Sequence, residues 1–370
     1  MRHTCWHVAL EPIPARYSEQ WLNCINREFT KYAKEYSDAE WTMVDLLGES
    51  IPADVTAGGF LNFAATNAWK ASQVVQLSHL FSKGYIQPGD VFLFTDAWNP
   101  AILHVKYMID LLKIPARIVS YWHAGSYDTW DTLGYTIKDR SWSIAAERSF
   151  YHASDVNLFA TKFHADFFYE HCLGLPPDWS KDPKMMVSGQ PHYEIIEWFK
   201  QRRKKDLPAK ENLVVFPHRL CVEKQPEIFD QLAKYHPEWV FARTQDMNLS
   251  KDAYYELLLR AKVVFSAAQH EMLGISQMEA VLANAFPLMP NRLSYKEIFE
   301  AEWLYPSEWN LKSQVDYVGL DATLAKWMAE DPNQFPWTYK LDSLRGRLTQ
   351  KYLTSDPMWR AILGETYVRP

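Results

Sequence analysis

Only four cysteines, Cys5, Cys24, Cys172 and Cys221, occur in 370 residues, and none sits in a CxxC pair or at a Cys/His ligand spacing. That scarcity excludes a disulfide framework and a zinc-finger-type site as organising devices, and the thiols read as reduced. The opening MRHTCWHVALEPIP has no apolar signal-peptide core, and no run of 18 apolar residues occurs. The expectation is therefore a cytoplasmic protein without a membrane span. Excess positive charge is lacking as well: the formal net charge of −6 gives no global attraction to nucleic acid. A nucleic-acid partner would need a local basic face. The one dense run, Lys200 to Lys205 (KQRRKK), reads equally as a solvated helix face or linker. Internal repeats and low-complexity segments are absent.

What is present is the profile of a globular protein, with 48% hydrophobic and 23% charged residues. Aromatics reach 15%, including 16 Trp. Such residues fill cores and also line grooves that hold sugars or bases. The length suits two domains of roughly 150 to 200 residues rather than one core.

Short apolar strands alternate with longer amphipathic helices, which argues for parallel α/β sheets. In the first half the strands are CWHVAL, DVFLFTD, ARIVSYW and DVNLFAT. Polar or small residues close three of them: Thr95-Asp96, His123 to Ser126, and Thr161-Lys162. Ligands of open parallel sheets sit beyond the carboxyl ends of strands, so these are candidate site edges. After a turn and a charged helix, a second alternation begins with NLVVFPHRL, EWVFART, AKVVFSAAQ and AFPLMP. The expected organisation is an N-terminal Rossmann-like domain at 1–190, a linker at 191–210 and a second Rossmann-like domain at 211–345. A tail at 346–370 could pack back on the first domain.

The segment QHEMLGISQMEAVLANAFPLMP carries two glutamates, Glu271 and Glu279, with seven residues between them. If Ile275 opens the apolar stripe of a helix, Met278, Glu279 and Leu282 share its buried face. A carboxylate there loses hydration and needs partners that replace water. Gln269 to Gly274 form the strand-to-helix loop, and amides at that helix start can hold a phosphate. The plainer reading pairs Glu279 with a buried Arg and leaves Glu271 an exposed loop acid. In VVFPHRLCVEKQPEIF, Arg219 and Lys224 follow a strand five residues apart. A guanidinium fork plus an ammonium suits two adjacent phosphates, although each alone could be a surface charge.

These residues together resemble the retaining, nucleotide-sugar-dependent glycosyltransferases of the GT-B fold, two doubly wound Rossmann-like domains facing a central cleft. The resemblance covers roughly 210–300. It implies that Arg219 and Lys224 grip the donor diphosphate, that Gly274 presents amides, and that Glu271 contacts the donor sugar and Glu279 the ribose. HEMLGISQMEAV and PLMPNRLSYKEIF are similar to the branch with queuosine-tRNA mannosyltransferases. There Ser294 and Glu297 read as a capping box, and Asn284 stands where Gly is common, in a left-handed position it tolerates. TAGGFLNFAATNAWKASQ, GDVFLFTDAWNP and HAGSYD instead resemble N-terminal halves of phage-encoded, base-modifying glycosyltransferases.

Within the first half, Gly58 and Gly59 are a candidate flexible loop at the donor phosphates, or a plain turn. His123 would approach the reacting sugar, or cap a loop. Asp96 and Asp128 could each orient an acceptor hydroxyl, in competition with ordinary turn roles. The resemblance implies a UDP- or GDP-sugar donor, no prosthetic group and no metal. The expected acceptor is a 5-hydroxymethylated pyrimidine in phage DNA, the protein then working in the host cytoplasm, with Trp98, Trp122 or Trp130 as stacking surfaces. Alternatives are a modified tRNA nucleoside or a glycan as acceptor, a nucleotide-sugar epimerase, and a non-catalytic nucleotide-sugar binder.

Overall fold

The computed structural model describes residues 2–13, 17–49, 62–205, 207–311 and 314–364. Gly58 and Gly59 lie outside the described residues. The chain divides into two compact units, residues 1–192 with the chain from Thr354 onward, and Tyr193–Leu353.

The first unit is built on strands β1 (Arg2–Val8), β2 (Glu40–Leu46), β3 (Val91–Phe94), β4 (Arg117–Trp122), β5 (Val156–Phe159) and β6 (Met185–Val187). They form one parallel sheet in the order β2-β1-β3-β4-β5-β6. The inner strands β3, β4 and β5 are almost wholly buried, because helices cover both faces of a parallel sheet. Helix Tyr17–Tyr36 shows how the covering works: Trp21, Cys24, Ile25, Phe29 and Tyr32 recur at helical spacing and form its buried face. The helix Asp356–Leu363 from the end of the chain packs on it. Trp359 stacks on Tyr32 at 6.0 Å between ring centroids, and Arg117 donates to the carbonyls of Ala361 and Ile362 at 3.2 and 2.7 Å.

The second unit carries β7 (Leu213–Phe216), β8 (Val240–Arg243), β9 (Val263–Phe265), β10 (Phe286–Pro290) and β11 (Leu304–Tyr305), parallel in the order β11-β10-β9-β7-β8. A short antiparallel pair, β12 (Asn310–Leu311) and β13 (Gln314–Val315), lies beside it in sequence. Residues expected as a linker carry the helix Tyr193–Arg202, whose Ile195 and Phe199 are buried.

The two sheets share one winding rule. Each starts on an inner strand, places its second strand on one side, then crosses over to the other. β1 and β3 flank the reversal in the first unit, and β7 and β9 flank it in the second. At such a switch point the loops leaving the two strands diverge, and a crevice opens at their carboxyl ends.

All four cysteines are free, and three of them are buried. No helix among the described residues is long and apolar enough to cross a membrane.

Candidate active site

The loops that follow β7 and β9 bring together the residues singled out in the second half. Beyond β7 the chain runs through His218 and Arg219 into a single 3-10 turn, Val222–Lys224, which ends with Gln225 in a left-handed conformation. This turn buries Lys224 and sends its ammonium to the β9 loop. There it donates to the carbonyl of His270 and lies 3.3 Å from Glu271 Oε2. The other Glu271 oxygen accepts the amide of Gly274 at 3.0 Å. Burial works to raise the Glu271 carboxyl, but Lys224 above all holds it down at about 2. It is therefore a carboxylate across the physiological range. His218 is lowered as well: burial and the neighbouring Lys224 push it down to about 3, so it is neutral. It is held by Ser266 Oγ at 2.8 Å and Gln277 Nε2 at 3.2 Å.

Gly274 begins the helix Ile275–Leu282 with φ +79° and no side-chain cap. A Cβ at this position would come within 2.8 Å of the Tyr295 ring, so both the backbone sign and the space demand glycine. The amides of that first turn, at the positive end of the helix, directly follow the loop that Lys224 binds through His270 and Glu271. From Gln277 onward every residue of the helix is buried. Glu279 is one of them, and the partner its position requires is a tyrosine. Tyr254 donates its hydroxyl to Glu279 Oε2 at 2.8 Å. Burial raises the Glu279 carboxyl, against the pull of Lys251 and the Tyr254 hydrogen bond. The buried-Arg alternative for Glu279 does not hold, since its neutral partner comes from the helix Lys251–Arg260.

Arg219 reaches Glu223 Oε1 at 3.5 Å and keeps 30% of its side chain exposed. Arg219, Lys224, Glu271, Gly274 and Glu279 are thus arrayed along the β7–β9 reversal, with cations on the β7 side and carboxylates on the β9 side.

Two structural expectations for this segment resolve in opposite directions. Asn284 is left-handed at φ +59° and uses its amide to donate to Pro332 O and Asn333 Oδ1. Ser294 does not form a capping box: its side chain makes no cap bond and donates instead to the carbonyl of Glu271 at 3.3 Å. The reason is local, since Ser294 itself has helical φ and ψ, whereas a capping Ser is extended. Ser294 thereby anchors the Glu271 loop.

The first-unit candidates are already engaged. Asp96, just beyond β3, accepts Lys70 Nζ at 2.6 Å and the amide of Trp98 at 3.0 Å. Burial opposes its ionisation, but Lys70 and then His123 lower it below the ordinary value. His123, just beyond β4, bonds through Nε2 to the Thr95 carbonyl at 2.8 Å and through Nδ1 to the Tyr17 hydroxyl at 3.1 Å. A carbonyl only accepts, so Nε2 carries the proton and Nδ1 receives the Tyr17 hydroxyl. Asp128 lies six residues past β4 rather than at a strand end, and one of its oxygens accepts the Trp130 amide at 2.8 Å in a turn. Of the three tryptophans, Trp122 is 1% exposed and stacks on Phe159, so it offers no surface to a base. Trp98 donates to Glu147, while Trp130 is 37% exposed. The HAGSYD loop is held by that same Glu147, which takes the amide and hydroxyl of Ser126 at 2.5 and 2.9 Å. Burial raises the Glu147 carboxyl to about 7 in spite of these donors. Among the described residues no group of three or more His, Cys, Asp or Glu is placed to hold a metal ion.

Sequence reasoning missed Lys70, Tyr17 and Tyr254, the partners that fix Asp96, His123 and Glu279. Each sits on a helix, and nothing in the sequence around it marks it as the partner of a distant residue. A buried carboxylate demands a donor but does not say from which element.

Known proteins resemble this chain in sequence over part of its length and in fold over nearly all of it. No family model matches. A tRNA-queuosine alpha-mannosyltransferase of Drosophila melanogaster is 26% identical over 195 residues, 41% of this chain and 52% of that protein. The chain thus spans about half the length of this curated relative. The sucrose-phosphate synthase of Thermosynechococcus elongatus superposes with a TM-score of 0.59 at 13% identity, over 98% of this chain and 96% of that one. S. aureus TarM, in complex with fondaparinux, alpha-GlcNAc-glycerol and UDP, gives 0.52 at 12% identity over 80% of this chain and 59% of its own. At such identities the likeness concerns architecture, and the architecture is that of the GT-B fold, two parallel-sheet Rossmann-like domains.

Proposed function

We propose that the protein is a glycosyltransferase that takes a sugar from a nucleoside diphosphate donor held at the β7–β9 switch point and transfers it to a hydroxyl acceptor. The observation that carries this reading is the pair of buried Lys224 and partly buried Glu271 set against the glycine-led start of the helix Ile275–Leu282. Lys224, Arg219 and the first-turn amides all favour negative charge, and they are fixed before any ligand arrives. As the bond from sugar to diphosphate breaks, charge grows on the departing phosphate oxygens. Donors already aimed there stabilise it without reorganisation. The reading invokes these protein groups, rather than a metal, for that charge. Glu271, ionised and pinned by Lys224, accepts hydroxyl hydrogens of the donor sugar. Glu279, with Tyr254 behind it, accepts those of the ribose. Transfer with retention follows the resemblance of the Glu271/Glu279 motif.

The UDP named with TarM supports a uridine or comparable nucleotide on the donor. For the acceptor, the Drosophila relative supports a modified tRNA nucleoside ahead of hydroxymethylated DNA. Burial of Trp122 withdraws one of the stacking surfaces on which the DNA reading drew.

The test is incubation with a panel of UDP- and GDP-sugars and three acceptors: queuosine-containing tRNA, hydroxymethylated DNA and unmodified DNA, followed by mass spectrometry of the nucleosides. Sugar on queuosine is the expected result, and sugar on hydroxymethylpyrimidine alone would move the acceptor to DNA. Conversion of the donor with no acceptor present would indicate an epimerase. Nucleotide binding without turnover on any acceptor would indicate a binder, and either outcome ends the transferase reading.

A further inference from the structure

The first unit has its own switch point, flanked by β1 and β3, and the residue that stands at it is Glu11. It follows β1 by three residues and is 1% exposed, and neither oxygen of its carboxyl has a hydrogen-bond partner. The Thr66 hydroxyl, close by on the helix Phe63–Ser82, is 6% exposed and favours the ionised form of this carboxyl, although it is outside hydrogen-bond geometry with either oxygen. One turn further along that helix, Lys70 makes its ion pair with Asp96 at the end of β3. Backbone packing holds the loop in place: Leu10 N donates to Thr95 Oγ1 at 2.9 Å, and Trp69 Nε1 and Gln73 Nε2 donate to the Ala9 carbonyl. The backbone that carries the carboxyl is therefore fixed, and neither of its oxygens is in hydrogen-bond geometry with a donor.

A buried polar group without a partner opposes folding, so a carboxyl at this place is accounted for by what it meets from outside. Burial raises its pKa, against the attraction of Lys70. The cluster reaches the surface at Asp96, whose side chain is 17% exposed. Its charges limit what can enter. An anion would face Asp96 and the Glu11 carboxyl, and an ammonium would face Lys70. An uncharged portion of a ligand with hydroxyl hydrogens to donate meets neither obstacle. Two oxygens on one carboxyl can accept two such hydrogens, as from neighbouring hydroxyls.

We propose that Glu11 is an acceptor-binding residue, receiving hydroxyl hydrogens of an uncharged, hydroxyl-bearing part of its ligand at the β1–β3 switch point. The proposal rests on the transferase reading for the statement that this ligand is the acceptor. The binding chemistry follows from the carboxyl and its neighbours alone.

The experiment compares wild type with Glu11→Gln and Glu11→Met, and reads unfolding midpoint, calorimetric binding of UDP and GDP, and binding of the free nucleosides queuosine and 5-hydroxymethyldeoxycytidine. Transfer to the corresponding nucleic acids is measured in parallel. The expected result is an unchanged or higher midpoint, nucleotide affinity within about twofold, and nucleoside binding and transfer lowered on the order of 100-fold in Glu11→Met. A lowered midpoint with activity lost in proportion would make Glu11 a structural residue and overturn the proposal. Wild-type nucleoside binding in both variants would overturn it too, as would tighter binding of the matching nucleoside 5′-monophosphates than of the nucleosides themselves. If wild type transfers no sugar yet binds a nucleoside in a Glu11-dependent way, the transferase reading fails and the site stands.

Discussion

The two switch points are built from the same winding and filled in opposite ways. At β7–β9 every charged side chain has a counterpart, Lys224 with Glu271, Arg219 with Glu223, and Glu279 with Tyr254. At β1–β3 the charges of Lys70 and Asp96 cancel each other, and the carboxyl beside them is left without a partner. The first arrangement is prepared for a ligand that carries charge. The second is prepared for a portion of a ligand that carries hydrogen-bond donors and no charge. A shared topology sets where a ligand can lie, and the side chains placed there set which ligand it is.

The sharpest way to break this contrast is at Lys224. Lys224→Ala leaves Glu271 buried beside His218 and His270 without its main cation, at a cost of about 3 kcal/mol in stability. Nucleotide affinity should fall roughly 10- to 100-fold, corresponding to the loss of a charged hydrogen bond. Unfolding by denaturant and calorimetry check the two quantities separately, and unchanged nucleotide affinity in a folded variant would remove Lys224 from the diphosphate.

The next effect concerns pH and the first unit. The Glu147 carboxyl is raised to about 7 in the folded protein from the ordinary 4.5. Between those values the folded chain binds a proton that the unfolded chain has released, so stability falls as pH rises from about 4.5 through about 7. The accumulated loss is roughly 2 to 4 kcal/mol. Glu147→Gln should flatten that part of the stability curve, measured as denaturation midpoint against pH. An equally steep curve in the variant would place the titration elsewhere.

Glu279 and Glu271 divide the second switch point between ribose and sugar. Glu279→Ala should weaken nucleotide and nucleotide-sugar alike, by roughly 1.5 to 3 kcal/mol. Glu271→Gln should leave free-nucleotide binding nearly intact and lower turnover. Equal loss of nucleotide binding in both variants would erase the division. The smallest expected effect is that of a chelator: EDTA should leave transfer unchanged. Loss of transfer restored by Mg2+ or Mn2+ would show that the Lys224 and Arg219 charges do not suffice.

Legibility in the sequence followed burial and length. The eight strands read from apolar runs are inner strands or well bounded by polar residues. β2, EWTMVDL, escaped because it is an edge strand, half exposed along most of its length, with no continuous apolar run. β6 and β11 have three and two residues, too few for any period to show. The β7–β9 residues were legible because carboxylates and cations at fixed spacing follow recognisable strands. Glu11 was not, although it lies directly after the CWHVAL run. A lone acid past a strand end looks like any loop residue until the surroundings prove to lack a donor.

The chain leaves the first unit at His192 and returns to it at Thr354, so the second unit is an insertion within the first. Order of synthesis and order of folding are thereby uncoupled. The ribosome completes residues 193–353 as one uninterrupted piece, whereas the first unit must wait for the helix Asp356–Leu363, which supplies Trp359 to Phe29 and Tyr32. The domain encoded second can reach its final form before the domain encoded first. A released chain truncated before residue 356 would keep the whole of the second unit and present the uncovered face of Tyr17–Tyr36 to chaperones.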